Sequence, residues 1–188
     1  NTVSLASDIN PGASSSSPRE FMGFGGHLYM AANTPAAGRE LFRTDGAITT
    51  LHQDIYPGVD SSFPNDLAAA GDRLFLSADG LAGRELWQTD GTLTAMVQDL
   101  NPGPDSSFTD QIVISGGRAY FVAKEASVGS ELWSSDGATI TLESDIRPGE
   151  QGSDPGNLFA AGNELYFSAY RPETGEELYR SGPAGTAL

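Results

Sequence analysis

The chain has 188 residues, with 10 Lys plus Arg against 25 Asp plus Glu, a formal net charge of −15. A surface this acidic repels polyanions and anionic bilayers, which argues against nucleic acid and membrane as partners. There is no cysteine, which excludes disulfides, zinc–thiolate sites and cysteine nucleophiles, and 23 Gly with 11 Pro point to many turns and no long helices.

In chain order, Thr2 to Ser7 reads as a strand. A Pro/Gly/Ser loop from Asp8 follows, then a hairpin turning at Gly25-Gly26. The elements are plainest between Leu67 and Gln98. Leu67 to Ala70 is a short strand of small residues; Gly71-Asp72 turns the chain into Arg73 to Ala78. Asp79 to Arg84 is a loop, and Glu85 to Thr89 is the third strand. Asp90-Gly91 reads as a type I′ hairpin leading into the fourth strand, Thr92 to Gln98. No apolar run approaches the roughly 18 residues of a membrane span, and no stretch has helical periodicity.

This unit recurs with a period of about 46 residues. Asp-x-x-Pro-Gly begins at Asp8, Asp54, Asp99 and Asp145. Glu-Leu-aromatic begins at Glu40, Glu85, Glu131 and Glu177, and three copies continue to Asp-Gly at Asp45, Asp90 and Asp136. The fourth copy has Gly182-Pro183 there. The repeats span 9–54, 55–99, 100–145 and 146–188, forming one domain over 1–188, with residues 1–8 as an extra strand.

The second strand is apolar on both faces, as in Leu74-Phe75-Leu76 and Leu165-Tyr166-Phe167. A strand with one wet face would alternate. Small four-stranded sheets buried on both faces describe the blades of a β-propeller, so the expected fold is all-β, a propeller of four four-stranded blades. Thr2 to Ser7 matches Ile48 to Gln53, each preceding Asp-x-x-Pro-Gly, so it is expected to complete the last blade in cis or in trans. The trans version gives an oligomer or filament by strand exchange.

Glu-Leu-Trp-x-x-Asp-Gly-Thr, preceded by Asp-Ile-x-Pro-Gly-x-x-Ser-Ser-x-Pro, resembles the ELWxxDGT repeat of large bacterial surface and secreted proteins. Glu85 to Thr92 and Glu131 to Ala138 match best; Phe42 and Tyr179 replace Trp in the outer copies. The resemblance implies a propeller-like repeat in an extracellular setting and no established catalytic activity.

Two repeated sets carry candidate ligand chemistry. Calcium takes about six to eight oxygens from carboxylates and loop carbonyls. The loops holding Asp54 with Asp60, and Asp99 with Asp105, supply two carboxylates each, so Ca²⁺ is the one cofactor considered. Glu20, Asp66, Gln111 and Asn157 share a register just before each first strand. In a propeller that places them at the channel mouth, as a binding set or a hydrated rim. The four Glu of the Glu-Leu-aromatic motif suit architecture, as acceptors for neighbouring-blade N–H groups or an arginine. Trp87, Trp133, Phe42 and Tyr179 suit blade packing more than a sugar platform. His27 and His52 are not equivalent and form no repeated site.

The expected role is therefore a non-enzymatic extracellular or cell-surface binding, adhesion or scaffold module. Its partners would be a glycan, a protein or other copies of itself. Ligands would meet the Asp-x-x-Pro-Gly loops and the loops between second and third strands, the long connections. Lys124 is the only lysine, and the chain begins with Asn1, which fits a processed chain or a piece of a longer one. The alternative is a structural subunit that self-assembles by strand exchange.

Overall fold

A computed structural model describes residues 2–182. Every regular element among them is a strand, and all sheets are antiparallel. The first sheet is β1 (Arg19–Phe24), β2 (His27–Thr34), β3 (Gly38–Thr44) and β4 (Thr49–Gln53), in that order. The second is β5 (Asn65–Ala70), β6 (Arg73–Gly80), β7 (Gly83–Thr89) and β8 (Thr94–Met96). The third is β9 (Asp110–Ser115), β10 (Arg118–Glu125), β11 (Gly129–Ser135) and β12 (Ile140–Ser144). The fourth has three strands, β13 (Gly156–Ala161), β14 (Glu164–Arg171) and β15 (Gly175–Ser181).

The first strands pack in sequence, β1 on β5, β5 on β9 and β9 on β13, which sets them along one inner line. Between sheets lie three separate apolar layers. Tyr29 and Leu41 of the first sheet meet Leu67, Leu74, Leu76 and Ala78 of the second. Phe75 and Leu86 meet Ile112, Phe121 and Trp133 of the third. Leu132 meets Leu165, Phe167 and Tyr179 of the fourth. Leu74 and Leu76 thus face backward and Phe75 forward, which explains the unbroken apolar run in the second strand.

A buried carboxylate fastens each sheet to the next loop. Glu40 accepts from the Ile55 N–H at 2.7 Å, the Ser62 N–H at 2.8 Å and the Ser62 hydroxyl at 2.6 Å. Glu85 repeats this with Leu100 at 3.3 Å and Ser107 at 2.8 and 2.7 Å. Glu131 repeats it with the Arg147 N–H at 3.1 Å and Ser153 at 2.9 and 2.5 Å. Beside each Glu, a glycine opens β3, β7 or β11 and admits the same loop. A Cβ on Gly83, at φ 81°, would lie 2.8 Å from the Ser106 backbone. The arginines beside these glutamates do not pair with them. Arg39 reaches the Ser17 carbonyl at 2.9 Å and Arg84 the Phe63 carbonyl at 3.1 Å.

Two expectations need correction. The Asp-Gly connections are not type I′ turns on Asp-Gly. Only the glycine has positive φ, and the aspartate holds the turn with its side chain. Asp90 Oδ1 accepts the Thr92 and Leu93 N–H groups at 2.7 and 2.8 Å, and Asp45 and Asp136 do the same. Those donors favour the ionised form and hold all three carboxyls below the usual range. Thr2 to Ser7 forms no strand, and Val3 and Leu5 are fully exposed. Among the described residues β15 has no fourth strand on its outer edge, and β1 and β13 do not pack together as successive first strands do. The part of the last repeat from Pro183 to Leu188 lies outside the described residues.

The fastening predicts a position-dependent response to one substitution. Both oxygens of Glu85 accept, so Glu85→Gln sets an NH₂ against a buried N–H and lowers stability by about 1–3 kcal/mol. Glu177 is exposed, so Glu177→Gln changes stability by less than about 0.5 kcal/mol. Denaturant melts of the two variants check this; equal losses would remove the fastening from the account.

Candidate functional site

Glu20, Asp66, Gln111 and Asn157 do share one structural position. Each sits in the left-handed region, at φ 58°, 53°, 54° and 57°, where its first strand slips register against the second. This backbone is costly for a residue with a Cβ and is held by neighbours. Glu20 Oε2 accepts the Asp66 N–H at 3.1 Å and Gln111 Oε1 accepts the Leu158 N–H at 3.4 Å, and between them the Asp66 carboxyl lies near the Gln111 N–H. The Asn157 amide turns to the Ser168 hydroxyl at 3.2 Å. The set is a ladder of side chain to backbone links running along the inner line of first strands.

Its electrostatic centre is Asp66. Burial, the neighbouring Asp110 carboxyl and the Glu20 charge push it up to about 6, against the pull of the Gln111 N–H. No three Asp, Glu or His side chains converge as metal ligands among the described residues.

In the Asp-x-x-Pro-Gly loops, Asp54 Oδ2 accepts the Gly58 N–H and Asp99 Oδ2 the Gly103 N–H, both at 3.2 Å. These bonds close the turns. The other oxygen, Oδ1, is buried without a hydrogen-bond partner in Asp54, Asp99 and Asp145. Asp60 and Asp105 lie farther along the loops, exposed. Trp133 and Tyr179 are buried between sheets, whereas Phe42 is buried on the outer face of the first sheet with Met30, Ala32 and Ile9; the Trp133 indole donates to the Ala123 carbonyl at 3.0 Å. Trp87 packs against the layer between the first two sheets. His52 packs edge-on to Tyr29, and burial lowers its pKa to about 4.

The structure adds two residues that the motif reading passed over. Phe63 and Phe108 occupy the same loop position in successive repeats and are 53% and 64% exposed. Their φ angles are 46° and 52°, in the left-handed region where a bulky residue is rare. Arg84 pins the Phe63 carbonyl. Phe108 borders a shallow groove of about 480 Å³ with Asn101, Asp105, Ser106, Lys124 and Glu150. A similar groove of about 580 Å³ opens in the next repeat between Arg147, Gln151 and Arg171. The available signal was the aromatic after Ser61-Ser62 and Ser106-Ser107, in loops otherwise built from small residues.

No protein-family profile matches the chain, and no curated protein is similar to it in sequence. Among solved structures, a GH74 enzyme from Niastella koreensis aligns over 86% of this chain at 15% identity with a TM-score of 0.52. This chain spans 27% of that enzyme's length. A nidogen/laminin complex aligns over 85% of this chain and 72% of its own, at 14% identity and a TM-score of 0.41. The GH74 likeness agrees with the all-β, propeller-like architecture. It also corrects the expectation of a non-enzymatic chain: this architecture is shared with an enzyme, so the fold gives no ground for excluding catalysis.

Asp66 gives the ladder a pH signature. Its folded pKa stands above the unfolded value of about 4, so its contribution to stability is fullest below pH 4 and is lost as pH rises through about 6. Asp66→Asn keeps an acceptor for Gln111 and removes the charge. The melting temperature of the variant relative to wild type should therefore rise between pH 4 and pH 7. A difference independent of pH would show that Asp66 titrates normally.

Proposed function

We propose that the four sheets are propeller blades of an ELWxxDGT-type extracellular module, and that the Asp-x-x-Pro-Gly loop face binds a glycan. The observation that carries the reading is the exposed pair of phenyl rings, Phe63 and Phe108, at equivalent positions of successive repeats. The left-handed backbone there is common to all four repeats, recurring at Ser17 and Asp154, and belongs to the loop; the aromatic side chains are what two repeats add to it. A phenyl ring offers a flat apolar face to the C–H face of a sugar. Asn101, Asp105, Ser106 and Lys124 beside Phe108 supply donors and acceptors for hydroxyls. The groove is open and shallow, which suits a length of chain more than an enclosed small molecule. The similar fold of a GH74 enzyme makes polysaccharides the first ligands to try.

Affinity electrophoresis on a panel of soluble polysaccharides tests this. Phe108→Ala and Phe63→Ala should each weaken retardation by about tenfold, the scale of one aromatic contact. Reducing ends released in the same samples report whether a bound chain is cut. Retardation that neither substitution alters, or none on any polysaccharide, would remove the loop face from consideration.

Calcium belongs to the same proposal. The buried Oδ1 atoms of Asp54 and Asp99 would contribute one oxygen each, with loop carbonyls and Asp60 or Asp105 completing the set. Ligand that binds only the native state raises its stability, so millimolar Ca²⁺ should raise the melting temperature above that in EDTA. An unchanged melt leaves these aspartates as turn residues alone.

A further inference from the structure

A residue present in every repeat serves the fold, whereas a residue that one repeat alone carries at a shared position is free to serve a ligand. The fourth repeat departs from the other three at three such positions, and the three side chains meet. Arg147 follows Asp145-Ile146, where the other loops have Asn10, Tyr56 and Asn101. Arg171 ends β14 opposite Gly175, where Thr34, Gly80 and Glu125 pair with Gly38, Gly83 and Gly129. Tyr170 stands just before it, where the other repeats have Asn33, Asp79 and Lys124.

The two arginines line the groove of about 580 Å³, between the loop ahead of the fourth sheet and the turn joining β14 to β15. Both of these walls are described residues. The Arg147 guanidinium lies over the Tyr170 ring, 5.1 Å from its centre. It donates to the Gly152 carbonyl at 3.4 Å and to the Gln151 side-chain oxygen. Arg171 donates through Nε to the Ile146 carbonyl at 2.7 Å, and among the described residues its two Nη groups have no acceptor. Neither arginine forms an ion pair there, although the chain carries 25 Asp plus Glu against 10 Lys plus Arg. The one carboxylate lining the groove is that of Glu173, which is exposed. Two positive charges against one negative set this groove apart from a chain of net charge −15.

Resting on the glycan reading of the loop face, we infer that this groove takes the carboxylate of an acidic sugar. The planar fork of a guanidinium matches the two oxygens of a carboxylate, and a fork already held by a carbonyl loses little freedom on pairing. Arg171 supplies the fork through its two Nη groups, and Arg147 supplies a second fixed charge beside it. Net charge decides how many acidic sugars the ligand carries. A polyanionic chain would lie against the surrounding carboxylates as well and be repelled. A single carboxylate on a neutral chain meets chiefly the charges of the groove, because those beyond a Debye length of about 8 Å are screened at physiological salt. The ligand is therefore a largely neutral glycan with isolated acidic sugars. Gln151 of this groove and Glu150 of the Phe108 groove are neighbours in one loop. One sugar chain crossing that loop would set a neutral stretch on the phenyl ring and its carboxylate on Arg171.

Affinity electrophoresis with each polysaccharide in two forms tests the inference. One form is the native neutral chain, and the other is the same chain with a small fraction of its primary alcohols oxidised to carboxylates. Wild type should bind the oxidised form about tenfold more tightly, the scale of one charge-assisted pair. Arg171→Gln should lose that gain, bind the native form as wild type does, and keep the wild-type melting temperature, since Arg171 is exposed. Oxidised forms that bind no better than native ones would overturn the inference and leave the glycan reading standing. A gain that survives Arg171→Gln would overturn it too, because the carboxylate is then read elsewhere. Retardation by neither form of any polysaccharide would remove both.

Discussion

The fold depends on the carboxylate that each sheet lends to the next. A sheet of three or four short strands has two apolar faces and cannot bury both alone, so stability comes from stacking. Dispersion between Leu, Phe and Ala side chains supplies attraction without direction. The glutamate supplies direction, because its two oxygens fit three donors at fixed points of the following loop. Burial pushes Glu40, Glu85 and Glu131 upward, while the serine and backbone donors pull the other way. A charge placed there without those donors would be costly, so the loop serine and the strand glutamate belong together.

Much of this was legible in the sequence because repetition does what a single copy cannot. The glutamate recurring in every copy pointed to architecture, and in three of the four copies, Glu40, Glu85 and Glu131, it forms the fastening, whereas Glu177 is exposed. The both-faces-apolar second strand located the sheets between neighbours. What stayed hidden depended on backbone conformation. Asp90-Gly91 looks like a turn residue pair, yet the aspartate acts through its carboxylate from an ordinary φ. Phe63 and Phe108 sit in loops where composition suggests only a connection. Their exposure follows from a left-handed backbone that no residue type announces. Thr2 to Ser7 has the pattern of a strand, but a strand needs a neighbouring edge, and local pattern does not say which edge lies within reach.

Two kinds of repeated polar residue divide the labour. The ladder of Glu20, Asp66 and Gln111 runs along the inner line and joins first strands to one another. The strand glutamates join each sheet to the following loop. Between them the first and third strands of the first three sheets are tied forward, the third strands through donors that the connecting loops supply. The outer side of those loops is left to solvent. That is where the exposed phenyl rings and the two shallow grooves lie.

The fastening also fixes which changes of length this architecture tolerates. From strand glutamate to loop serine the distance along the chain is 22 residues in all three interfaces. The fourth loop differs slightly upstream, where the backbone donor is 16 residues from its glutamate against 15 in the others, yet the serine distance is unchanged. A duplicated whole repeat would restore every link, because each interface refers only to its immediate neighbour. A shorter insertion between glutamate and serine would leave a charged carboxylate buried without donors. Gene-level growth by complete units is therefore permitted by the physics of a single side chain, and growth by fractions is not.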